Sequence, residues 1–199
     1  MRSSRLLPTL AVVFFAACGG GEPADDATTS TPAAEPAPAP SGPAMPTGAM
    51  TMPDWFVVDE GAQTVNITLT SGSSNRNNYW NYNGAINGEM AITVPEGYTV
   101  NMTLINQDPN MPHSIVISGE LQNFATPPSP DPVFAGAATE NPTSMVDATM
   151  PGETETISFV AETAGDYSLV CTIPGHSALG MWLFFRVVPA GEEVGVQGV

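Results

Sequence analysis

From about residue 54 onward, apolar and polar side chains alternate in short runs, as they do in strands with one buried face. In 63–70, Val65, Ile67 and Leu69 take one side and Asn66, Thr68 and Thr70 the other. Met90, Ile92 and Val94 share a face in 89–94, before the turn Pro95-Glu96-Gly97. Val100, Met102 and Leu104 do so in 98–105, and His113, Ile115 and Ile117 in 113–118. Later runs give Ile157, Phe159 and Ala161 in 153–161, then Tyr167, Leu169 and Cys171 in 166–171. The last gives Met181, Leu183, Phe185 and Val187 in 181–188. No stretch carries a sustained 3.6-residue period. The pattern predicts seven or so strands in an all-β Greek-key sandwich or barrel over 54–199. Residues 119–152 interrupt it with Pro127, Pro128, Pro130, Pro132, Pro142 and Pro151. A loop of that length in a compact domain is functional or poorly ordered. The sequence does not say whether it holds a short helix or a docking surface.

The chain before residue 54 reads differently. Arg2 and Arg5 precede an apolar run over 6–17 that is too short to cross a bilayer, which takes about 20 residues. It fits the core of a signal peptide spanning 1–17. The run ends in Phe15-Ala16-Ala17-Cys18, which resembles a bacterial lipobox, with Cys18 lipidated as the new N-terminus. An ordinary cleaved signal beside an incidental cysteine is the alternative. Residues 18–53 are rich in Pro and Ala, hold no aromatic residue and cannot bury a core, so they read as a disordered tether. In polyproline form it would reach on the order of 100 Å. Met45, Met50 and Met52 near its end are either incidental or weak Cu(I) ligands. The expected product is exported, lipid-anchored and facing the periplasm or cell exterior.

Charge narrows the partners. The 199 residues hold 4 Lys+Arg and 20 Asp+Glu, for a formal charge of -16. Such a surface is unsuited to nucleic acid, whose phosphates call for basic side chains. It would steer partners with basic faces, more strongly at low salt. Solubility in a salty habitat is an equal explanation of the same charge.

The candidate chemistry lies in Cys171-Thr-Ile-Pro-Gly-His176-Ser-Ala-Leu-Gly-Met181. One thiolate, one imidazole and one thioether are spaced so that a single loop between strands can aim all three at one centre. The chain's other histidine, His113, sits in Met111-Pro112-His113-Ser114, at the mouth of the core. Two imidazoles, a thiolate and a weak thioether form the ligand set of a type 1 copper. Singly, each residue has a plain structural explanation, but alternation turns all four toward one place. Structural zinc prefers four Cys or His ligands, and thioether suits it poorly. A binuclear copper centre needs a second cysteine in the loop, and catalytic coppers need further histidines. A Cys-His hydrolase also fits poorly, since the thiol points inward and no acid or amide is evidently placed to orient a base. Cys18 and Cys171 have separate jobs and no disulfide is expected.

The segments from Trp80 to Tyr98, Asn110 to Ile117 and Cys171 to Met181 resemble the cupredoxins. Within that group they are most similar to the sulfocyanins, with rusticyanins as near relatives. The resemblance implies a monomeric electron carrier, not an enzyme, with one type 1 copper on His113, Cys171 and His176 as equatorial ligands and Met181 as the axial one. Ser114, where sulfocyanins carry asparagine, is rusticyanin-like; from there a hydroxyl can bond the Cys171 sulfur and raise the potential. Its other reading is an outward-facing strand serine. The resemblance also implies that His176 lies close to the surface under an apolar docking patch, here Met111, Pro112, Pro174, Ala178 and Leu179. Leu169, Leu183 and Phe185 would keep water out. The expected partners are redox proteins: a cytochrome, an oxidase or a reductase. Copper delivery or storage remains the alternative function.

Overall fold

The computed structural model describes residues 44–122, 124–125 and 128–198. The expected signal peptide, Cys18 and the expected tether up to residue 43 lie outside them. The described chain forms nine strands and one 3-10 turn, with no α-helix. The strands are β1 (Phe56–Asp59), β2 (Thr64–Ser71), β3 (Ala91–Pro95), β4 (Thr99–Asn106) and β5 (Val116–Ser118). They continue with β6 (Thr154–Val160), β7 (Gly165–Val170), β8 (Trp182–Val188) and β9 (Gly195–Gln197). The 3-10 turn spans Arg76–Tyr79.

The strands divide into a sheet of order β1-β2-β4-β6 and a sheet of order β5-β7-β8-β3-β9. Each is mixed, because β2 runs parallel to β4 and β3 parallel to β8. The alternating runs land as expected. Val65, Ile67, Leu69, Val100, Met102, Leu104, Ile157 and Phe159 from one sheet meet Ile92, Val94, Ile117, Leu169, Leu183, Phe185 and Val187 from the other in one core.

Two parts of the fold depart from the alternation. In β3 both faces are buried, Ala91 and Thr93 as well as Ile92 and Val94. A second cluster explains this: Ala91, Val116, Phe124, Val170, Trp182 and Phe184 pack together on the outer face of the larger sheet, with Met45 and Ala138 against them. The proline-rich segment thus covers a sheet face. Its Phe134 and Ala137 also enter the main core, and it pairs with the strand region at Val116↔Ala138 and His113↔Thr149. Its prolines suit it to a packed, irregular path that needs few backbone donors.

The second departure is the start of the domain. Residues 44–53, expected in the tether, belong to the folded body. Thr51 exchanges two 2.9 Å backbone hydrogen bonds with Val196, Gln197 Nε2 donates to Gly48 O at 2.7 Å, and Met45 packs on the second cluster.

Candidate metal centre

His113 stands where the chain approaches β5. Its backbone N–H donates to Thr149 O at 3.0 Å. Cys171 follows the last residue of β7, and Met181 precedes the first of β8, so adjacent antiparallel strands deliver both ends of the loop. The loop closes on itself: Cys171 N–H donates to Met181 O at 3.1 Å, and Met181 N–H to His176 O at 2.9 Å. Gly180 allows this closure. Its φ is +103°, and a Cβ there would lie 2.5 Å from Asn87 Oδ1, so no other residue fits without displacing Asn87.

The structure brings His113, Cys171, His176 and Met181 together, all four fully buried. The Cys171 Sγ lies 3.8 Å from His113 Nδ1 and 3.5 Å from His176 Nδ1, and the two Nδ1 atoms are 3.3 Å apart. A point equidistant from the three is about 2.1 Å from each, close to imidazole–metal and thiolate–metal bond lengths of about 2.0–2.3 Å. Three lone-pair atoms converging on one point are held together by a shared proton or by a cation among them. The donor set, its trigonal arrangement and the thioether supplied by Met181 fit a type 1 copper ion.

Burial also favours the metal-ready forms of the imidazoles. Desolvation lowers the pKa of His113 despite its bond to Asp108, and desolvation with the like charge of His113 lowers that of His176 to about 3. Both rings are therefore neutral and able to ligate over a wide pH range. Burial pushes the Cys171 thiol up, against the opposing pull of the Ile173 and Ser114 backbone N–H groups and the Ser114 and Tyr82 hydroxyls. A bound cation would take the place of that proton.

Three surrounding side chains were not singled out from sequence. Asp108, 1% exposed at its side chain, holds His113 Nε2 at 2.9 Å. The acid thought missing near the histidines is therefore present, five residues upstream across a turn. It orients a ligand, and since Cys171 is sealed in the core the hydrolase reading gains nothing. Tyr82, fully buried, donates to Ser114 O. Trp80 stacks on His176 with ring centroids 3.9 Å apart and planes inclined by 19°.

Ser114 is buried, not outward-facing. Its Oγ accepts from Thr172 N–H at 3.0 Å. Its single proton faces two acceptors, Thr172 Oγ1 at 3.3 Å and Cys171 Sγ at 3.7 Å. The Thr172 hydroxyl proton is turned to Pro142 O at 2.8 Å, tying the ligand loop to the proline-rich segment. Of the expected docking patch, Pro174, Ala178 and Leu179 are exposed and Met111 is half-buried. Pro112 is buried and does not belong to an exposed patch. His176 itself has no exposed surface, and Trp80, which the expected patch did not include, stacks on its ring.

The model of the sulfocyanin (SoxE) domain matches residues 55–190. The chain belongs to the sulfocyanin family. Sulfocyanin of Sulfolobus acidocaldarius is 38% identical over 128 residues, which cover 60% of this chain and 61% of that one. Rusticyanin of Acidithiobacillus ferrooxidans is 35% identical over 92 residues, 46% of each chain. The chain thus matches less than two thirds of the length of either relative. Similar solved structures include dithionite-reduced auracyanin of Roseiflexus castenholzii, at 28% identity, with 64% of this chain and 98% of that chain covered and a TM-score of 0.44. Reduced rusticyanin gives 24% identity, coverage of 67% and 90%, and a TM-score of 0.47. Sulfocyanins are cupredoxins, and the two-sheet β architecture described above is the fold of that group.

Proposed function

We propose that this sulfocyanin-family protein carries single electrons between redox partners by means of one type 1 copper. The observation that carries the reading is the triangle of His113 Nδ1, His176 Nδ1 and Cys171 Sγ, already at metal-bonding separations inside a sealed core. Copper bound there supplies one-electron chemistry between Cu(II) and Cu(I). The chain's own residues do the rest. Asp108 fixes His113 with its proton on Nε2, leaving Nδ1 free to ligate. Leu169, Leu183 and Phe185, all fully buried, help exclude water. Ser114 places a hydroxyl against the Cys171 sulfur, where it withdraws density from a thiolate and raises the potential. The chain holds two histidines in all, both used here, so a second histidine-rich copper cannot be built from it.

The same proposal places the domain outside the cell membrane, held by a lipid on Cys18 through the Pro/Ala-rich stretch, and working as a monomer. The supports are the Phe15-Ala16-Ala17-Cys18 sequence and the apolar run before it. The acidic surface favours partners with basic faces, such as a cytochrome, a reductase or an oxidase.

Copper loading tests the function. Cu(II) added to the purified chain should give intense absorption at about 600 nm, typical of thiolate–copper sites. It should bleach and return reversibly on reduction and reoxidation, and be absent from Cys171→Ser. A colourless protein that releases Cu(I) readily would point to delivery or storage instead.

A further inference from the structure

His176 does not reach the surface. Its ring has 0% exposure, and its Nε2 is buried with no hydrogen-bond partner among the described residues. No described protein group therefore links the far edge of this imidazole outward by a hydrogen bond. One face lies under Trp80, nearly parallel at 3.9 Å. The other ring close to it, His113, is tilted by 54° and is itself a ligand. Trp80 is half-buried, so its indole is the conjugated group that continues from His176 to the outside.

The placement of Trp80 is built. The turn before it holds Asn77, Asn78 and Tyr79 at φ values of 51°, 57° and 68°. Asparagine tolerates left-handed backbone better than other non-glycine residues, which suits Asn77 and Asn78, but three such residues in succession are rare and Tyr79 is a true outlier. Such strain persists only where surrounding structure enforces it, and it gathers at functional sites. Here Asn77 Nδ2 donates to Trp80 O and to Leu179 O, each at 3.0 Å. One amide thus ties the Trp80 backbone to the ligand loop. Arg76 anchors the other end of the turn on Glu89 at 2.5 Å.

We propose that Trp80, and not the edge of His176, is the point at which electrons enter and leave the site; this rests on the electron-carrier reading above. The partner is a one-electron redox protein whose cofactor approaches the exposed part of Trp80. In the reducing direction the partner's centre is oxidised by one electron, the electron tunnels across the stacked indole and imidazole without residing on either, and the copper site is reduced by one. No proton moves and no bond forms.

The test compares copper-loaded wild type with Trp80→Phe, Trp80→Leu and Trp80→Met. The electron self-exchange rate and the rate of reduction by hexaammineruthenium(II) are measured, with the midpoint potential taken for each variant. The aromatic replacement should stay near wild type. The two aliphatic ones still cover His176 but should slow both reactions several-fold, with the absorption at about 600 nm and the midpoint preserved. Unchanged or faster exchange in the aliphatic variants overturns the proposal, because Trp80 would then only shield the ligand. If neither loads copper, 5-fluorotryptophan in the wild type decides, with the Trp80 signal assigned through Trp80→Phe. In the oxidised protein the Trp80 fluorine should show a temperature-dependent contact shift. A signal that only broadens overturns the role. Loss of the blue absorption from the wild type itself would remove the electron-carrier reading, and this proposal with it.

Discussion

Replacing Asp108 by asparagine keeps shape and volume but removes a charge and reverses one hydrogen-bonding atom. Asp108 Oδ1 accepts from Asn110 N–H at 2.8 Å and Met111 N–H at 3.2 Å, while Oδ2 holds His113 Nε2 at 2.9 Å. An asparagine that keeps the two backbone bonds turns its NH2 toward His113. The imidazole must then give up the Nε2 proton and carry it on Nδ1, the ligating atom. An asparagine flipped the other way breaks the turn that positions His113. Either arrangement should weaken copper binding, by about 10- to 100-fold on the usual scale for such outer contacts. The charge gives a second, separable effect. The 2.9 Å bond, the ring and a metal bond put the carboxylate about 7 Å from the centre of the donor triangle. At an effective dielectric constant of about 20 this is about 2 kcal/mol of stabilisation for one extra positive charge. That corresponds to on the order of 100 mV for a one-electron couple. Because the carboxylate favours the more positive, oxidised state, Asp108→Asn should raise the midpoint. Competition with a copper chelator reads the affinity, and voltammetry of the fully loaded protein reads the potential. A midpoint that stays put or falls, with affinity unchanged, would refute the assigned role of Asp108.

Ser114→Ala removes one weak donor to the thiolate, worth about 0.5–1.5 kcal/mol. The midpoint should fall by about 20–60 mV, and an unchanged voltammogram would show that the Ser114 proton rests on Thr172 Oγ1. The metal-free protein should also lose stability in acid. Its His176 sits at about 3 and His113 is lowered too, whereas in the unfolded chain both titrate near the ordinary 6.5. The unfolded state therefore takes up protons first. Stability is fully present above about pH 6.5 and declines as pH falls toward about 3. Urea midpoints across that range should show the decline in the metal-free wild type and a shallower one in His176→Asn; a flat wild-type profile would contradict the burial of these rings.

The main core was legible because its strands keep one face dry, so Val65, Ile67 and Leu69 or Val100, Met102 and Leu104 announce themselves at every second position. Where tertiary contacts decide, the pattern is silent. Strand β9 has three residues, one of them Gly195, and exists because β3 offers it an edge. Strand β1 buries one large side chain, Phe56, to under a tenth of its surface. β3 reads as half-exposed because the cover for its second face comes from Phe124, Trp182 and Phe184, far along the chain. The four metal-binding side chains could be read because the domain has no other histidine or cysteine to confuse the choice. Asp108 and Trp80 could not. One reaches its histidine only after a turn has formed, and the other reaches His176 through three successive left-handed residues, which the tolerance of Asn77 and Asn78 for that backbone permits but does not require. The apolar patch needed the same knowledge: Pro112 lies next to a ligand in sequence and still faces inward.

The pairing of β3 with both β8 and β9 has a kinetic consequence. Ile92 lies opposite Phe185 on one side and Val196 on the other, so β3 remains an open edge of the larger sheet until β9 is available. Thr51 meets Val196 at the same place, joining the two ends of the folded body. Contacts this distant in sequence make for slow folding, in milliseconds to seconds. A partly synthesised or truncated chain lacking the strands after Cys171 would hold His113 and the thiol without the scaffold that aligns them. Metal capture is thereby deferred to a finished molecule, and copper met earlier would find only scattered, exchangeable donors.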